Sequence, residues 1–168
     1  MKNFIVYLVL ALLFLVIENT LLILFFPSLL IPDVILIMVF YLAFGNASLE
    51  GVLTTFVLGY LTDVFSGGII GLSSFTLLLI FIITTKLSKI LTLNSMLIKV
   101  GGTIFISIIK GILTYTSLRF LNQEIPFYII FPIAVSTGIV SPFVFALINK
   151  IELYCIPYKG EDKIISRY

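Results

Sequence analysis

The chain has 168 residues, 61% of them hydrophobic and 11% charged, and a mean hydropathy of +1.27. A soluble domain carries charge on about a quarter of its residues, so this composition describes an all-α integral membrane protein. Ten Lys and Arg against eight Asp and Glu leave no field for a polyanion, which sets nucleic acid aside. With no histidine and one cysteine, Cys155, the commonest base and metal ligand are missing and no intrachain disulfide can form, so no catalytic, metal or cofactor site is expected.

The first apolar stretch, about 4–26, is long enough to cross about 30 Å of hydrocarbon, and Pro27 ends it. Lys2 ahead of an apolar run resembles the start of a signal peptide, but no small-residue cleavage site follows, so the segment is expected to be retained. Glu18 has two readings: a carboxylate at the outer interface beside Asn19 and Thr20, or a bundle-facing acid with a partner. The second segment, about 32–44, opens with Pro32, whose missing N–H costs nothing in a first turn, and Asp33, which complements the positive end of the helix dipole. At about 20 Å it is short for a full crossing, so a re-entrant hairpin stands beside a full span. Gly45 and Asn46 make the turn, Asn46 or Ser48 caps the next helix, and Glu50 falls in its first turn.

The third segment, about 48–65, carries Gly51, Thr55, Gly59 and Asp63 at every fourth residue, one narrow stripe on a helix. Lipid gives no hydrophobic force between helices, so small residues mark where another backbone comes close. Thr55 and Gly59 are therefore expected to face protein. Ser66, Gly67 and Gly68 break this helix, and a fourth segment runs about 69–85. In the polar run that follows, residues 91–97 suit a piece lying along the membrane surface. The fifth segment, about 100–118, spaces Thr103, Ser107, Lys110, Thr114 and Ser117 as a polar seam with Lys110 near its middle. The sixth, about 127–148, is interrupted by Pro132, Gly138 and Pro142 and is expected to kink. Residues 1–150 thus read as one six-helix domain and 151–168 as a short tail.

With six crossings, Lys2, Lys86, Lys89, Lys99, Lys150, Lys159, Lys163 and Arg167 share one side and Arg119 alone takes the other. The positive-inside rule makes the first side cytoplasmic, with both termini there. A re-entrant hairpin keeps this parity; fusing the second and third segments into one crossing breaks it. Asp63 and Lys110 both sit in the bundle, where an unpaired charge is costly. Either Lys110 pairs with Asp63 or Glu18, or Lys110 snorkels and Asp63 bonds the turn at 66–68. An intramembrane acid and base also suit a proton relay, although transporters usually need more spans or a partner.

The pattern of Pro32-Asp33, an apolar run, Gly45, Glu50-Gly51, Gly59, Asp63, Ser66-Gly67 and Gly71 resembles the core of the rod shape-determining MreD family. The resemblance implies a non-catalytic subunit of the bacterial inner membrane, embedded in membrane lipid, that binds MreC. With MreB, RodA and a class B penicillin-binding protein it would support lateral peptidoglycan synthesis. The motif residues carry over as architectural, with no cofactor. The resemblance also implies a six-helix bundle similar to the substrate-binding S components of energy-coupling factor vitamin transporters, and such a component is the alternative function. Against it, Ala11 is followed four residues on by Leu15, not by the second alanine with which those components dock their coupling subunit. An enzyme is the weakest reading, because no histidine and no clustered carboxylates offer a base or nucleophile. The sixth helix and the hairpin at 32–71 are the two candidate faces for a partner.

Overall fold

Apolar runs punctuated by Gly, Pro and charge become helices, because a helix satisfies its own backbone where water is scarce. The computed structural model describes residues 2–22, 31–45, 49–89, 96–121 and 126–155, and among these it is all-helical. The α-helices are α1 (Lys2–Ile17), α2 (Val34–Gly45), α3 (Leu49–Ser66), α4 (Leu72–Ser88), α5 (Met96–Phe120) and α6 (Ile130–Cys155). A π-turn, Glu18–Leu22, continues α1, and a 3₁₀ turn, Phe127–Ile129, leads into α6. The expected caps at Asn46 and Ser48, the surface piece over 91–95 and the tail beyond 155 lie outside the described residues. Residues 96 and 97 of that piece open α5.

Helix α2 is the hub. Nine of its twelve residues are buried, on every side of the helix, so it has no lipid or solvent face. It is only about 18 Å long, and it touches all five other helices. These form a ring in which α1 packs on α3, α3 on α4, α4 on α5 and α5 on α6. Across the remaining side, between α6 and α1, the Tyr7 hydroxyl donates to Glu152 Oε1 at 2.9 Å. Phe40 sits at the centre, within ring contact of Phe44 and Phe145. Among the described residues, two stretches are long and apolar enough to cross a membrane by themselves, Leu97–Phe120 in α5 and Phe127–Tyr154 in and just ahead of α6. The shortness of α2 goes with its burial on all sides by the other helices.

The α3–α4 hairpin follows from its small residues. Gly51, Thr55, Gly59 and Asp63 are all buried along one face. Gly59 is where the two backbones meet: a Cβ there would lie 2.3 Å from Ser74 Cα. At the turn Gly67 adopts φ +64°, and the Gly68 N–H bonds the Asp63 carbonyl at 3.2 Å, the closing bond of a Schellman motif. Gly71 follows at φ +97°, a second conformation that only glycine adopts without strain. The Asp63 carboxylate does not bond the turn at 66–68, as one reading had it, but reaches further along the chain. It accepts the N–H of Gly71 at 2.7 Å and of Ser73 at 3.0 Å. It thus caps the first turn of α4.

Helix α6 is assigned as one helix through Pro132 and Pro142. Pro132 falls in the first turn, where no N–H is missed. Pro142 lies inside and deprives the Gly138 carbonyl of its usual donor, and the Ser141 hydroxyl supplies one at 2.8 Å. Ser141→Ala is therefore expected to cost about 1–3 kcal/mol. In a Pro142→Ala background, where the residue 142 N–H returns, the same change should cost far less. Unfolding of the four chains in mixed micelles reads this cycle.

The helix also runs beyond the expected end at 148, to Cys155, so Ile151 and Glu152 belong to the bundle and not to a tail. Ile151 packs against the core, and Glu152 is bonded within it.

Candidate functional site

The N-terminus of a helix leaves its first N–H groups without intrahelical acceptors, and in an apolar interior each must find one. The start of α2 shows where they go. Pro32 has no N–H. The Asp33 N–H donates to Thr137 Oγ1 of α6 at 3.0 Å. The Val34 and Ile35 N–H groups both donate to Glu18 Oε2, at 3.1 and 3.2 Å. The Leu36 N–H donates to Asp33 Oδ1 at 2.8 Å, and the Ile37 N–H makes the first intrahelical bond, to the Asp33 carbonyl. Asp33 is thus the N-cap and α2 proper begins at Val34, two residues after the expected start at Pro32, which therefore precedes the helix.

The second oxygen of Asp33 pairs with the Lys110 ammonium of α5. Both side chains are less than one-fifth exposed. The junction therefore ties the end of α1, the start of α2, the middle of α5 and the first half of α6 to one point. Two carboxylates face one ammonium and the half-positive end of a helix, which leaves the junction close to neutral. This is how the interior tolerates three ionisable side chains.

Local sequence places each of these groups. Glu18 follows Ala11 and Phe14 at spacings of seven and four on the buried face of α1, which aims its carboxylate into the bundle, and a π-turn begins at it. Asn19 Nδ2 donates to the Leu15 carbonyl at 3.0 Å and steadies that turn. Lys110 lies on the polar seam of α5, whose Thr103 and Ser107 are buried. Thr137 Oγ1 donates to the Ile133 carbonyl at 2.6 Å, which aims its lone pairs at Asp33.

The sequence offered Asp63 or Glu18 as the partner of Lys110. The structure pairs it with Asp33, sets Glu18 beside that pair on the backbone of α2, and leaves Asp63 on its own turn. Of the motif residues, Pro32 and Asp33 build the junction. Gly51, Gly59, Asp63, Ser66, Gly67 and Gly71 build the α3–α4 hairpin, while Gly45 closes α2 and Glu50 opens α3. The second polar cluster was missed altogether. At the other end of α2 the Tyr41 hydroxyl lies 2.6 Å from Glu152 Oε2 and 2.7 Å from Asn149 Oδ1, and Tyr7 bonds the same carboxylate. An Asn-x-x-Glu pair at helical spacing, just after an apolar helix, was the available signal.

Chemically, these groups hold helices. Each carboxylate is engaged by backbone N–H, ammonium or phenol. Among the described residues no group of three or more His, Cys, Asp or Glu is placed to hold a metal ion. Beside the junction, between α5 and α6, lies a cavity of about 270 Å³.

Comparison with known proteins finds no match among curated proteins or solved structures. The model of one family, described as rod shape-determining protein MreD, matches residues 1–151 and so takes in the junction, the hairpin and nearly all of α6. The chain therefore belongs to the MreD family of rod shape-determining membrane proteins.

Proposed function

We propose that this chain is a non-catalytic scaffold subunit of the bacterial cell-elongation complex. It crosses the inner membrane as a multi-pass bundle with both termini in the cytoplasm, and it binds MreC. Through that contact it works with MreB, RodA and a class B penicillin-binding protein in side-wall peptidoglycan synthesis. The observation that supports this reading is how the polar groups of the interior are used. Glu18, Asp33, Asp63, Lys110 and Glu152 all bond across helices or cap them, as a rigid platform requires. The placement of eight basic residues on one side and Arg119 on the other supports the orientation.

The test is depletion in the rod-shaped host. The cells should become round and wall synthesis should leave the side wall, with rods restored by the wild-type chain. Rods that persist through depletion would contradict the reading.

A further inference from the structure

We propose that the cavity between α5 and α6 is a phospholipid site, taking the phosphate and adjoining glycerol carbons of one lipid while its esters and chains lie outside along α6. The cavity is intermediate between an enclosed void and a surface groove. Lys110 and Asp33 form its floor, Ser107 and Thr114 of α5 one wall, and Ile130 and Ile133 of α6 the other.

Its free hydrogen-bonding capacity is mostly of one kind. Ser107 is only 5% exposed and lines the cavity, yet it has no hydrogen-bond partner among the described residues, and neither has Thr114. Lys110 has two ammonium protons left after its bond to Asp33. Tyr115 Oη accepts from Arg119 at 2.9 Å and keeps its own proton to give. These hydroxyls line the cavity, and what would pair with this set is a group rich in acceptors. Phosphodiester oxygens are such a group.

Two features favour a lipid over a soluble anion. One wall is isoleucine, which a lipid neck covers without exposing it to water. At about 30 Å³ per water-sized group the cavity admits roughly nine non-hydrogen atoms, more than an inorganic phosphate needs and enough for a phosphodiester with its adjoining glycerol carbons, the esters and chains lying outside. The inference rests on α5 and α6 lying in the bilayer.

The test uses the full chain in nanodiscs containing phosphatidylglycerol with a diazirine on its acyl chain, with crosslinks mapped by mass spectrometry. Crosslinks at 126–133 should exceed those on the exposed faces of α1 and α3, around Val9, Leu13, Phe56 and Tyr60. Ser107→Ala with Thr114→Val should lower that excess at least about five-fold, as the loss of a net hydrogen bond implies, and leave the α1 and α3 crosslinks unchanged. Thr114→Phe, which fills the cavity, should do the same by bulk. Equal yields on all faces, or an excess that survives both variants, would overturn the site. So would an excess abolished by inorganic phosphate, which would assign the cavity to a soluble anion. If no face crosslinks at all, α1 and α3 included, the membrane-spanning reading itself fails.

Discussion

Lys110→Met is expected to lower the stability of the folded chain by about 3–5 kcal/mol, and adding Asp33→Asn to give most of that back. The reason is the asymmetry between breaking a pair and removing it. With Lys110 gone, Asp33 stays buried beside Glu18 with one fewer cation to balance two carboxylates. It must then keep its charge at a heavy cost or take up a proton. With both changed, the amide oxygen at position 33 can still cap Leu36, and one carboxylate against a helix N-terminus remains. Neutral hydrogen bonds between membrane helices average only about 0.6 kcal/mol in such cycles. A coupling well above that therefore identifies the ion pair and not a generic polar contact. The cycle is read by unfolding in mixed micelles. The corresponding cycle between Lys110 and Asp63 should be additive, because Asp63 is spent on Gly71 and Ser73.

Gly59→Val is expected to prevent α3 and α4 from closing, with a loss of about 3 kcal/mol or more. A Cβ at Gly59 would sit 2.3 Å from Ser74 Cα and 2.6 Å from its nitrogen, so one backbone must move for the other. Even Gly59→Ala should cost about 1–3 kcal/mol, although Ala is the better helix former. Gly101, in α5, is the control: nothing lies within 4 Å of its Cβ position. Gly101→Ala should be neutral or stabilising by up to about 1 kcal/mol, the intrinsic preference of Ala over Gly in a helix. Thermal unfolding of the three variants separates close approach from helix propensity.

The hairpin was legible because its signal is local. Small residues every fourth position announce a close contact, and Asp63 followed by three glycines announces a helix end with a cap. The junction was only half legible. Asp33 as a helix start and Lys110 as a buried cation both follow from their own segments. Their pairing does not, because the two lie 77 positions apart and three acids competed for one lysine.

What decides the competition is backbone demand. Asp63 has orphan N–H groups of its own to serve in the next helix. Asp33 fronts an uninterrupted apolar helix and needs only one oxygen for its cap, which leaves the second for Lys110. Glu18 shares the buried face of α1 with Ala11 and Phe14, which favoured the bundle-facing reading, but its partners are backbone N–H groups of α2, which no side-chain pattern reveals. The Tyr7, Tyr41, Asn149 and Glu152 cluster was hidden for a different reason. A Glu beyond an apolar run looks like the start of a tail, and only the continuation of α6 to Cys155 brings it back against α1 and α2.

The fold thus comes down to a short buried helix fixed at both ends by polar junctions and wrapped by five others. That construction fits a protein whose task is to present a fixed surface. The most direct test of that task is purification of the tagged chain from native membranes in mild detergent, with mass spectrometry of the proteins and small molecules that come with it. Recovery of MreC together with RodA and a class B penicillin-binding protein is the expected result. Recovery instead of an ATPase-linked membrane coupling subunit, or of a bound vitamin, would contradict it and make the chain a transporter component.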